Sequence, residues 1–244
     1  MESIQQKEDK LHGNGLGQLK VYLSEFVYGG IDGSVTTFAV VAGATGANLS
    51  VNTVLILGFA NLIADGLSMS IGNYLSVKSE IQEFYRHKNI EYWEVDNLPE
   101  KEKEEIRDIY RAKGFTGELL EQVVETITAN RERWVDVMMK EELEMALPAE
   151  SPVKKAAATF ISFFLVGLIP LLTYVWHALH PIVESSLFTV SCILTSVAFI
   201  LIGWLKSYIT ETSRWRSMVE TLLLGGVAAI TAYFVGDILE SLLT

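Results

Sequence analysis

The chain has 244 residues and a formal net charge of -11, yet 50% of it is hydrophobic and only 20% is charged. Residues 80–150 hold 19 of the 30 Asp and Glu but 10 of the 19 Lys and Arg, which leaves the rest nearly neutral and very apolar. That segregation excludes an ordinary soluble globule, a disordered chain and a nucleic-acid binder, which would carry a basic patch. It predicts an integral membrane protein with one acidic, water-soluble module.

In chain order, residues 1–20 form a polar tail without an apolar core, so they do not read as a cleaved signal peptide. A helix needs about 20 apolar residues to cross the hydrocarbon, and five segments qualify. The first is about Phe26–Gly46 and the second Val51–Val77, with Asp32 and Asp65 as their charged residues. The third, about Ala156–Leu179, and the fourth, about Ser185–Leu205, are charge-free. The fifth covers about Ser217–Leu239, with Glu220 and Asp237 near its ends. The fold class is thus an all-α integral membrane protein. The tail (1–20) precedes spans 1 and 2 (21–78), a cytosolic helical module (79–150) and spans 3 to 5 (151–244). Cys192 is the single cysteine and lies in an apolar run, so neither a disulfide framework nor a Cys-based metal site is expected.

Positive charge sets orientation. All 19 Lys and Arg fall in the N-terminal tail, residues 78–155 or the loop 206–216. The segments on the other side carry none. The N-terminus and acidic module are therefore expected in the cytosol. The short far-side segments favour a bacterial cytoplasmic membrane over a vacuolar one.

Within the module, the first helix continues from span two through about Asn97. Pro99 starts a second, which Gly114 ends from the C' position. Thr116 is placed as the N-cap of a third, to about Ala129. The fourth is expected from Arg131 to about Ala146, before Pro148. Most of these carboxylates belong to a solvated face. Five do not. Glu142 lies on the apolar stripe of Val135, Met138, Met139 and Met145. Glu102 and Glu105 share the face of Ile106 and Ile109, and Glu91 and Glu94 lie one turn before Val95 and Leu98. Inward-facing carboxylates demand a counter-charge, and a divalent cation supplies it. Oxygen ligands suit Mg, Ca, Mn and Fe(II). The thioethers of Met138 and Met139, if they join, tilt the preference toward Fe(II), Mn(II), Co(II) or Zn(II); otherwise they fill the core.

In the spans, ionisable groups are costly and mark function. Glu25, Asp32 and Thr36 share one face of span one; Asn61, Asp65, Met69 and Asn73 share one face of span two. At 1.5 Å per residue, Asp32 lies about 9 Å and Met69 about 12 Å from the same membrane surface, so the two can share a site, with Asp65 deeper. Gly29 and Gly33 form a Gly-x-x-x-Gly beside Asp32, which permits close helix approach and would suit a self-association face. His177 and His180 lie at the far-side mouth of span three, where they could touch an exiting ion or serve structure alone.

Three stretches carry a resemblance: Glu25-Phe-Val-Tyr-Gly-Gly-Ile-Asp32-Gly, Ala64-Asp65-Gly-Leu-Ser-Met69-Ser, and Arg133-Trp-Val-Asp-Val-Met138-Met139-Lys-Glu-Glu142. From about Leu19 onward the chain resembles the vacuolar iron transporter family of iron/manganese transporters. The resemblance implies a homodimer whose ion path lies between the two first spans, and a cytosolic three-helix module that captures metal. It implies module ligands at Glu91, Glu94, Glu102, Glu105 and Glu142 with Met138 and Met139, pathway residues at Asp32 and Met69, and an entrance at Glu25. The family often carries a further acidic residue near Asn61, which is neutral here.

The expected function is export of Fe(II) and Mn(II) from the cytosol, with Co(II) and Zn(II) as further candidate ions. Carboxylates bind metal deprotonated, so proton antiport through Asp32 follows as a mechanism. The partners are then divalent metal ions, protons, the lipid bilayer and a second copy of the chain. The rival reading is a membrane-anchored metal sensor or buffer without transport, which does not explain the polar faces of two spans. An enzyme is not expected: the module lacks a Glu-x-x-His pair, and the chain lacks His-Glu-x-x-His and Gly-x-Ser-x-Gly.

Overall fold

The computed structural model describes residues 14–180 and 186–243, with side chains from residue 22. The tail expected over residues 1–20 and part of the loop before span four fall largely outside them. The described residues form nine α-helices and no strand: α1 (Asn14–Gly46), α2 (Val51–Asn97), α3 (Pro99–Ala112), α4 (Gly117–Thr128), α5 (Arg131–Glu141), α6 (Pro152–Gly167), α7 (Leu172–Leu179), α8 (Leu187–Thr210) and α9 (Arg214–Leu243). Five stretches are long and apolar enough to cross a membrane: Tyr22–Gly46, the start of α2, Pro152–Leu179, α8 and α9. The chain is an integral membrane protein. It divides into two compact units, the spans with residues up to Tyr74 and from Val153, and the module Leu75–Pro152.

In the membrane unit, α1 is the central element. Val41 and Ala44 join Leu62, Phe163 and Leu171 in one apolar cluster, and Phe38 and Ala42 join Phe199 and Ala229 in another. The outward faces of α2 (Ile56, Ile63, Leu67, Ile71) and α9 (Leu223, Val227, Ile230, Phe234) stay exposed, which suits contact with lipid. The expected use of Gly29 and Gly33 is corrected here. A Cβ at Gly29 would overlap Ser162 Oγ, and one at Gly33 would overlap the Phe163 carbonyl. This face therefore lets α6 of the same chain approach α1 and does not serve as a self-association face.

Span three, expected as one helix over Ala156–Leu179, is broken. A short 3-10 turn, Ile169–Leu171, separates α6 from α7. Pro170 has no N–H to donate and cannot continue the ladder. Exposed backbone groups are costly in lipid, and Ser191 Oγ on α8 donates to the Pro170 carbonyl at 2.7 Å.

The module has its own apolar core: Val95, Ile106, Leu120, Val124, Ile127, Trp134, Val135, Met138 and Met139. Its helix ends follow local rules. Pro99 occupies the first turn of α3. Gly114 takes φ 97° after it, and the N–H groups of Gly114 and Phe115 close back on Arg111 and Tyr110 at 3.0 and 3.1 Å, a Schellman ending. Thr116 is the N-cap residue of α4 but makes no side-chain bond. Asn130 caps α5, accepting from the Arg133 N–H at 2.9 Å.

The fourth module helix is shorter than expected. It stops at Glu141 instead of Ala146. Glu144 enters the left-handed region at φ 51°, and the Met145 N–H closes on the Met139 carbonyl at 2.8 Å. A glycine usually occupies such a position, so the sequence carries no obvious stop.

Candidate metal centre

Three helices supply the module site. Glu91 comes from α2, Glu102 from the N-terminal turns of α3, and Glu142 from the C-cap of α5. Each offers a carboxylate oxygen, and the three oxygens lie within 4.8 Å of one another. Glu91 is 4% and Glu102 is 1% exposed, whereas Glu142 is exposed and leaves the trio open on one side. One oxygen of Glu91 and both of Glu102 are buried without a hydrogen-bond partner. Lys101 stands at the rim, its Nζ 2.8 Å from Glu105 and 3.6 Å from Glu102.

The electrostatics follow from that geometry. Burial, and then the neighbouring carboxylates with Glu142 first, push Glu91 up to about 7. Burial, then Glu105 and Glu94, push Glu102 up to about 7, with Lys101 opposing. Glu142, exposed on its outer side, is also raised, chiefly by partial desolvation where it meets the fold and then by Glu105. Glu94 and Glu105 thus act on the trio through space. Glu94 is half-buried, and Glu105 is held by Lys101.

The module's outer carboxylates behave in the opposite way. Arg107 grips Glu121 with two bonds of 2.9 and 3.0 Å. Arg131 grips Asp96 with bonds of 2.7 and 2.6 Å. Both acids are held below the usual carboxylate range by those guanidinium groups. Guanidinium groups thus pair these two outer acids, while the inner trio keeps its repulsion. A divalent cation would relieve it, and an all-oxygen set suits Fe(II), Mn(II), Mg or Ca. Met138 and Met139 are fully buried in the apolar core that holds these helices together.

The membrane unit gathers a second polar group. Glu25 on α1 accepts from Asn73 Nδ2 of α2 at 3.0 Å and from Thr159 Oγ1 of α6 at 3.1 Å. Lys155 Nζ, also on α6, lies 3.4 Å from the other Glu25 oxygen. Asn73 additionally donates to Thr159 at 2.8 Å. Asp65 lies within electrostatic reach of Asp32, and Thr36 Oγ1 donates to the Asp32 carbonyl at 2.9 Å. Met69 packs against the cluster of Val41, Leu62 and Phe163. Asn61 Nδ2 is buried without a hydrogen-bond partner. His180 stacks on Trp176 with centroids 4.9 Å apart, and His177 lines a cavity of about 640 Å³ with Thr45, Asn48 and Tyr174.

Sequence reasoning missed Lys155 and Thr159. Lys155 was absorbed into the positive flank of span three, and a threonine in an apolar span is unremarkable. Their i, i+4 spacing puts them on one face of α6 but does not by itself mark a site.

Five spans joined to a helical module with a converging carboxylate trio define a helical membrane protein built to handle cations. A model of the VIT family matches residues 23–237. A vacuolar iron transporter of Toxoplasma gondii is 34% identical over 225 residues, covering 90% of this chain and 74% of that protein. Vacuolar iron transporter 1 of Arabidopsis thaliana is 32% identical over 219 residues, covering 88% and 85%, and the vacuolar iron transporter of Centaurea cyanus is 34% identical over 210, covering 86% and 84%. The chain belongs to the VIT family, a family of transporters and not of enzymes.

Proposed function

We propose that this chain is a divalent-metal transporter that moves Fe(II) and Mn(II) out of the cytosol, with the N-terminus and module on the cytosolic side. The observation that carries the reading is the trio of Glu91, Glu102 and Glu142, whose oxygens lie within 4.8 Å of one another. Membership of a family whose relatives are named iron transporters supports iron as the cargo. Glu94 and Glu105 flank the capture site, and Met138 and Met139, buried in the module core, are candidate soft ligands.

From the module, the ion passes to Glu25 and then to the face of Asp32, Asp65, Met69, Asn61 and Asn73. A homodimer with the path along its two first spans is part of the proposal. Because carboxylates bind metal only when deprotonated, metal and proton compete, and proton antiport follows, with Asp32 as the exchanging group. The polar faces of two spans favour transport over a sensor that only binds.

Proteoliposomes with an imposed pH gradient test the reading. Fe(II) and Mn(II) uptake should follow the gradient, and Asp32→Ala should abolish it. Wild-type uptake that ignores the gradient would sink the antiport, and full uptake by Asp32→Ala would sink the role of Asp32.

A further inference from the structure

We propose that Lys155 is a tethered cation that holds the Glu25 carboxylate and competes with the transported metal for it. The inference rests on the transport reading above and assigns a positioning role to a residue which that reading does not use.

The geometry is compact. Glu25 has 15% and Lys155 24% of its side chain exposed, with Nζ 3.4 Å from one carboxylate oxygen. The other oxygen accepts from Asn73 at 3.0 Å and Thr159 at 3.1 Å. Both oxygens are thus engaged, and each of these three partners presents a donor. Lys155 and Thr159 lie one helical turn apart on α6, and Thr159 Oγ1 also reaches the Lys155 carbonyl at 3.1 Å. Ser70 Oγ ties the same turn to α2 through the Ala156 carbonyl at 2.8 Å.

A carboxylate in this position needs a counter-charge when no substrate is present, and the ammonium supplies it. A divalent ion must approach oxygen to about 2.0–2.6 Å, a distance from which it would repel the ammonium strongly. One cation must leave. When Lys155 withdraws, Thr159 can offer a lone pair and Asn73 can turn its amide to present oxygen. The donor shell around Glu25 then becomes an acceptor shell for the metal. Lysine suits this exchange because its charge is compact and its stem flexible, whereas the planar guanidinium of arginine would grip the carboxylate with two bonds. A monovalent ion offers Glu25 no more charge than Lys155 already does, so the exchange favours divalent cargo.

The test uses the full-length protein carrying Glu91→Gln and Glu102→Gln, which silence the module. It is titrated with Mn(II) while electron paramagnetic resonance follows the free ion. Adding Lys155→Met should tighten binding about fivefold, which is ~1 kcal/mol at 1.4 kcal/mol per tenfold. Lys155→Arg should bind no tighter than the parent, and Glu25→Gln should remove the gain. Binding that Lys155→Met leaves unchanged, weakens or makes undetectable overturns the proposal, as does a gain that survives Glu25→Gln. The readout is binding, so a wild type that moves no metal in proteoliposomes would refute the transport reading and leave this result to stand or fall alone.

Discussion

Replacing Glu102 by glutamine should stabilise the metal-free module at pH 8 and abolish its response to metal. Glu102 is 1% exposed, and neither carboxylate oxygen has a hydrogen-bond partner. Its carboxyl titrates near 7 in place of 4.5, so ionising it inside the fold costs about 3 kcal/mol. Glutamine keeps the shape and removes that charge. The positive N-terminal end of α3 loses a favourable partner, which reduces the expected gain to ~2 kcal/mol at pH 8. The same raised value fixes the pH dependence. Glu91 and Glu102 hold their protons more tightly in the folded chain than in the unfolded one. Between pH 4.5 and about 7 the native state therefore carries more protons, and metal-free stability falls as the pH rises. Mn(II) should reverse the loss, by about 2.7 kcal/mol at a hundredfold excess over Kd. Hydrogen exchange of peptides from α3 and α5, read by mass spectrometry on the full-length protein and corrected for intrinsic exchange, measures all three effects. Metal-free protection that rises from pH 5 to pH 8, or a Glu102→Gln protein that matches the wild type at pH 8, would refute the reasoning.

Three further outcomes are expected. Gly33→Leu should destabilise the membrane unit by at least about 2 kcal/mol, because its Cβ meets the Phe163 backbone; Gly72→Ala meets nothing within 4 Å and should be neutral or slightly stabilising, both judged by thermal unfolding in detergent. Ile106→Ala removes a fully buried side chain from the module core and should cost about 2–5 kcal/mol, with α3 and α4 losing exchange protection while the spans keep theirs. Ser191→Ala frees the Pro170 carbonyl and should cost ~0.6 kcal/mol, seen as a small fall in Tm with the helical circular dichroism unchanged.

Much of this fold was legible because its signals are coarse. Five apolar runs are visible by length alone, and Pro99 and Gly114 mark their helix ends through fixed backbone preferences. The module trio was legible because helical periodicity puts Glu91, Glu102 and Glu142 on the same faces as core residues. Its fine geometry was not. Glu142 faces the site from beyond the end of α5, where Glu144 turns left-handed without the glycine that would have announced it. Gly29 and Gly33 read as a dimer motif because small-residue spacing reports close approach without naming the partner, and here the partner is α6. Lys155 was invisible because its partner Glu25 lies 130 residues away in sequence, and only packing of α1, α2 and α6 brings them together.

These two acidic sites solve the same problem by different chemistry. At the module, burial and mutual repulsion hold Glu91 and Glu102 near 7, so an arriving metal displaces protons and capture should weaken as the pH falls. At Glu25 the displaced partner is the Lys155 side chain, 3.4 Å from the carboxylate, so that step exchanges one cation for another. A pH dependence of metal capture is expected at the module, where the raised Glu91 and Glu102 lie. Silencing the module with Glu91→Gln and Glu102→Gln separates the contributions: a pH dependence of flux that survives is expected to arise deeper in the proposed path, at Asp32, which lies within electrostatic reach of Asp65.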